Sequence, residues 1–184
     1  MCSSDLDENT GHLTPNSPAK VEPEEFLGPR HFCFHPSLDV LYFSNEQDCS
    51  VTGYRLDTDN GTLSAFQTIT TLPEGYTERN TCSQIQVSAS GRFLYAPNRG
   101  HDSIACFSID TATGQLTGNG IVGSEARPNA LCLGPQDRFL YSAGQESGRM
   151  ASFSVNSDSG KLTPLETYPL GNAPVWVSIT ELPG

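Results

Sequence analysis

Arg30 and His31 stand side by side at the head of the alternating run Phe32-Cys33-Phe34, in the stretch GPRHFCFHP (28–36). A guanidinium clamps a carboxylate or phosphate through paired N–H groups, or stabilises a developing oxyanion. An imidazole passes a proton near neutral pH. Glu46 and Arg99 each lie four residues beyond a tyrosine, Tyr42 and Tyr95, and Gln145 keeps the same distance from Tyr141. A carboxylate in such a set serves as a general base or holds the group that does. Arg30, His31, Glu46 and Arg99 are therefore the candidate catalytic residues, and Gln145 a weaker candidate for substrate binding. The competing reading of an arginine beside a glutamate on neighbouring loops is a structural ion pair.

The balance of the chain narrows the partner. With 21 Asp and Glu against 10 Lys and Arg, the net charge of its 184 residues is −11. That argues against nucleic acid or an anionic membrane, both of which need a basic surface. A few converging arginines still suit a small anionic substrate. No apolar run approaches the roughly 20 residues that cross a bilayer. The start, MCSSDLDENTGHL, lacks the basic and apolar regions of a secretion signal, so a cytoplasmic protein is expected. The six cysteines form no CxxC and read as reduced thiols, with Cys33 and Cys132 at apolar strand positions. No spacing suggests a metal, and no G-x-S-x-G elbow occurs. His12, His35 and His101 read as turn or surface residues, and VEPEEF (21–26) as a solvated loop. Trp176 reads as core between modules or as the wall of a sugar pocket.

What must position these side chains is a repeat. LDVLYFSNEQDCSVTGYRLDTDNGTL (38–63), GRFLYAPNRGHDSIACFSIDTATGQL (91–116) and DRFLYSAGQESGRMASFSVNSDSGKL (137–162) align throughout, and DENTGHL (7–13) matches the tail of each. The repeat-end leucines Leu13, Leu63, Leu116 and Leu162 are 50, 53 and 46 residues apart. Each unit reads as four short strands closed by a D-x-x-x-G-x-L turn, whose glycine (Gly61, Gly114, Gly160) supplies positive φ. Four strands per module at this period predicts an all-β fold of propeller type, and no unit shows helical periodicity. Residues 28–71, 80–125 and 126–169 give about three complete blades. Residues 1–22 are the end of an earlier blade and 172–180, around PVWVSI, a closing strand of a later one. The whole of 1–184 thus reads as a partial propeller, the C-terminal part of a longer protein cut inside a blade. In register, Glu46, Arg99 and Gln145 share one height, and Arg30 and His31 open an innermost strand facing the same mouth.

GPRHFCFHP…LYFSNE, SGRFLYAPNRGHDSIACFSID and GNAPVWVSI together resemble the bacterial-type 6-phosphogluconolactonase family of seven-bladed propellers, which looks related to the 3-carboxy-cis,cis-muconate lactonizing enzymes. The likeness runs from DENTGHLTP to PVWVSI and is to the C-terminal half of such proteins. It implies a cofactor-free lactone site built from Arg, His and Glu: Arg30 and His31 match the family's Pro-Arg-His, Glu46 its N-E turn, and Arg99 its S-N-R-G. It also implies an upstream histidine in a half this chain lacks. Where the family often opens its next-to-last blade with Pro-Arg, this chain has Arg127-Pro128-Asn129, so Arg127 is displaced and reads as a weaker binding candidate, with Gln145 and Trp176. The expected activity is hydrolysis of a phosphorylated sugar lactone, 6-phosphogluconolactone, in carbohydrate metabolism. The alternatives are a muconate-type cycloisomerase using the same Arg and Glu residues, or a non-catalytic propeller scaffold.

Overall fold

The structure, a computed structural model, describes residues 2–23 and 26–180. Cys2–Leu6 (β1) and Leu13–Lys20 (β2) form a hairpin. Pro29–Phe34 (β3), Val40–Asn45 (β4), Ser50–Asp57 (β5) and Thr62–Thr70 (β6) follow as a four-stranded antiparallel meander. In the second sheet Thr81–Cys82 (β7) and Gln86–Val87 (β8) both pair with Phe93–Arg99 (β9), which leads to Ser103–Ile109 (β10) and Leu116–Gly123 (β11). The third sheet orders Pro128–Leu133 (β12), Phe139–Gly144 (β13), Arg149–Val155 (β14) and Leu162–Pro169 (β15), with a 3-10 turn at Pro135–Asp137. The fold is all-β, as the repeat requires, and its sheets form a partial, unclosed propeller.

The apolar runs explain how the sheets stack. Along β4 and β9 nearly every residue is buried, because these strands are covered on both faces. Val40 and Tyr42 meet Leu94, Ala96 and Phe107 between the first and second sheets. Phe93, Tyr95 and Ile104 meet Leu131, Leu140 and Phe153 between the second and third. Leu41, Phe43 and Tyr54 face the other way, packed with Val21 beyond the N-terminal hairpin. Full burial of each such side chain contributes about 1.5–3 kcal/mol.

The D-x-x-x-G turns lock neighbouring sheets together. In each, the leading carboxylate or amide accepts two backbone N–H bonds within the turn, as Asp110 does from Ala112 at 2.9 Å and Thr113 at 2.8 Å. Gly114 has φ +74° and Gly160 φ +68°, and a Cβ at Gly160 would overlap the Phe93 ring. The carbonyls of these two glycines accept the Tyr42 and Tyr95 hydroxyls, at 2.7 and 2.8 Å, from the preceding sheet.

Four expectations change. The inner strand of the second sheet is split into β7 and β8, because its intervening groups bond sideways: Ser83 O accepts Ser44 Oγ at 2.7 Å and Ser83 Oγ donates to Pro128 O at 2.8 Å. Residues 174–179 form no strand, since no ladder partner lies beside them among the described residues. Trp176 accordingly packs in no core and is 64% exposed. His35 is a turn residue, as read, but buried rather than superficial: its Nδ1 accepts the N–H groups of Ser37 and Leu38, and its Nε2 donates to Gly91 O at 2.9 Å. The reading of 21–26 as a solvated loop is not among these changes: Glu22 is exposed and pairs with exposed Lys20, while Glu24 and Glu25 lie outside the described residues.

Candidate active site

Adjacent residues of a strand ordinarily point to opposite faces. On β3 the register runs Pro29↔Asn45 and then His31↔Ser44, so Arg30 is the extra residue of a bulge. Bulges re-aim side chains beside functional sites. Both Arg30 and His31 feel the charges of Arg99 and Glu46 across the site. β12 carries the same irregularity between Pro128 and Ala130, which places Asn129 where the first sheet has Arg30.

These positions converge. Glu46 follows β4 and Arg99 ends β9. Glu46 Oε1 takes a hydrogen bond from Arg99 Nη2, while Arg30 Nε lies 3.7 Å from Oε2. Arg99 also donates to Asn129 Oδ1 at 3.1 Å and to Cys82 O at 3.0 Å, and its side chain is only 8% exposed. The residue before each charged group anchors its loop. Asn45 donates to Ser50 and Thr52, both at 2.8 Å, and Asn98 donates to Thr71 O at 2.8 Å. At the third equivalent position this residue is Gly144, and Gln145 follows it without such an anchor.

Two donors are left over. Arg30 Nη1 and Arg99 Nε are buried and bond to nothing among the described residues. A buried donor without a partner costs about 1–3 kcal/mol, so such groups ordinarily wait for a ligand or water oxygen. Burial, then the nearby Arg99, lowers the pKa of Arg30 despite Glu46. His31 is held below its ordinary value of 6.5 by burial first, then by Arg30 and Arg99, with Glu46 opposing. Its imidazole is therefore neutral at pH 7 and free to accept a proton.

A cavity of about 420 Å³ opens beside this cluster, lined by Glu46, Arg79, Thr81, Arg99, Gly100, Asp102, Arg127 and Glu146. Glu46, Arg99 and Arg127 thus share one opening, while Arg30 is not among its walls and meets the site through Glu46. Arg127 pairs with Glu146 at 3.0 Å and gives its backbone N–H to Asp102 at 2.8 Å. His31, Gln145 and Trp176 are not among the walls. Gln145 bonds through its backbone to Arg127 O at 2.9 Å. Arg79, Thr81, Asp102, Asn129 and Glu146 were not singled out from the sequence. Only the match of Pro128-Asn129 to Pro29-Arg30 was available there as a signal. Among the described residues no group of three His, Cys, Asp or Glu side chains is placed to hold a metal.

The family described as Lactonase, 7-bladed beta-propeller, matches residues 1–179. A 6-phosphogluconolactonase of Pectobacterium carotovorum subsp. carotovorum is 33% identical over 173 residues, covering 94% of this chain and 52% of that protein. The crystal structure of a protein from Lactobacillus plantarum superposes with a TM-score of 0.88 at 25% identity, over 94% of this chain and 50% of that one. The periplasmic gluconolactonase of Pseudomonas aeruginosa gives 0.82 at 29% identity, over 87% and 45%. The chain spans about half the length of the curated relatives it matches.

Proposed function

This chain belongs to the seven-bladed β-propeller lactonase family, and we propose that its Arg30–Glu46–Arg99 cluster, with His31, forms part of a site that hydrolyses 6-phosphogluconolactone. The observation that carries the reading is the pair of buried, unpartnered N–H groups on Arg30 and Arg99, beside an open polar cavity. The relatives named 6-phosphogluconolactonase support the choice of lactone.

In the reaction a water oxygen attacks the lactone carbonyl, and the carbonyl oxygen becomes an oxyanion. The free N–H groups of Arg30 and Arg99 are suited to that charge, which exists only in the transition state and intermediate. His31, neutral at pH 7, takes the water proton and returns it to the ring oxygen as the carbon–oxygen ester bond breaks, yielding the open acid. Glu46, gripped by two guanidinium groups, serves to hold both arginines in place. The substrate is a small anionic sugar lactone, and the compartment is the cytoplasm. No helix among the described residues is long and apolar enough to cross a membrane.

The test is opening of 6-phosphogluconolactone measured against its spontaneous rate, with a carboxymuconate as the competing substrate. Glu46→Gln or Arg30→Ala should lower turnover on the order of 10²-fold or more, the usual scale of such contributions. Unchanged rates in both variants would remove the assignment.

A further inference from the structure

The charges around the cavity do not balance group by group. Its walls carry three guanidinium groups and three carboxylates. Glu46 is bound by Arg99, and Glu146 by Arg127. Asp102 accepts the backbone N–H groups of Gly100 at 3.2 Å and Arg127 at 2.8 Å. Arg79 alone of these six has neither a hydrogen bond nor an ion pair among the described residues.

Its backbone, by contrast, is fixed. Gly100 lies against the Arg79 carbonyl so closely that a Cβ there would collide with it, and its φ of +138° suits only glycine. The neighbouring Asn80 accepts the His101 N–H at 3.0 Å and donates to buried Asn98 at 3.1 Å. Arg79 is thus a side chain with a rigid root, set by the same asparagine that anchors Arg99, and an uncommitted cationic tip on the cavity wall. That combination limits the entropy lost when a ligand is captured, since only the side chain has to be ordered.

Resting on the lactonase reading above, we propose that Arg79 receives the phosphoryl group of the substrate and sets a preference for phosphorylated over unphosphorylated sugar lactones. The inner donors of Arg30 and Arg99 address the carbonyl end. A six-carbon lactone phosphorylated at carbon 6 carries its dianion on an arm outside the ring that holds the carbonyl, where a second, separate cation is needed. Arg79 supplies it as a planar donor matched to phosphate oxygens.

The experiment measures calorimetric binding of 6-phosphogluconate and of gluconate to this chain, in parallel with opening of the corresponding two lactones. Both measurements are repeated on Arg79→Gln and Arg79→Lys, with thermal melting to confirm unchanged folding of an exposed position. The expected result is that Arg79→Gln weakens 6-phosphogluconate about 10- to 100-fold, the scale of losing a charge-assisted hydrogen bond. Gluconate should be unaffected, and Arg79→Lys should recover part of the loss. Equal effects on both acids, no effect on either, or a wild-type chain that binds neither acid would each overturn the subsite. The lactonase reading is judged separately by hydrolysis. Phosphate-dependent binding without hydrolysis would sink that reading and leave the subsite standing, while hydrolysis with an indifferent Arg79→Gln would do the reverse.

Discussion

One carboxylate between two guanidinium groups sets the chemistry at the residue scale. Glu46 neutralises Arg30 and Arg99 only in part, because each retains a buried N–H that bonds to nothing among the described residues. In the proposed reaction the proton passes through His31, whose environment favours the neutral form. Its folded value lies below 6.5, so loss of the base form occurs as pH falls through that depressed value. The acid limb of kcat/KM for lactone opening, corrected for the spontaneous reaction, should therefore lie below pH 6.5, and His31→Gln should abolish it. An acid limb that persists in the carboxylate range after that substitution would return the role of base to Glu46.

At the scale of the element, the turns were the most legible part of the sequence. Aspartate and glycine at fixed spacing state a backbone geometry directly, and the structure shows those glycines at positive φ. The carboxyls of Asp7, Asp57 and Asp110 are held below their ordinary 3.8 by hydrogen bonds from within their own turns. A depressed folded value means stabilisation that is complete above the unfolded value and lost as pH falls through the folded one. Asparagine keeps the acceptor without the charge, as Asn156 does with Ser159 N at 2.9 Å. Melting midpoints followed from pH 5 to about pH 2 should therefore fall less steeply in a double Asp57→Asn, Asp110→Asn variant than in the parent; parallel curves would refute the coupling. Other features could not be read from one strand at a time. The bulge that turns Arg30 toward the site, the split between β7 and β8 and the burial of His35 all depend on what a neighbouring sheet offers. Arg79 escaped notice for the same reason: nothing in TERN (77–80) announces that Gly100 will pin its backbone at the wall of a cavity.

On the scale of the whole molecule, each sheet is latched to the next by a tyrosine reaching the carbonyl of a turn glycine, Tyr42 to Gly114 and Tyr95 to Gly160. Tyr141 is the third of that series, and among the described residues its hydroxyl meets no such carbonyl. It lies with Phe139, Leu165 and Tyr168 along a surface groove of the third sheet, after which no further sheet follows among the described residues. Two chemically identical deletions should therefore differ. Tyr95→Phe leaves the buried Gly160 carbonyl without its donor and should cost about 1 kcal/mol in urea unfolding, the net scale of one hydrogen bond. Tyr141→Phe removes a hydroxyl that is not latched and should leave the unfolding midpoint unchanged. An equal loss at Tyr141 would mean that this face is already covered in solution, by a surface presenting the same kind of turn that Tyr42 and Tyr95 grip.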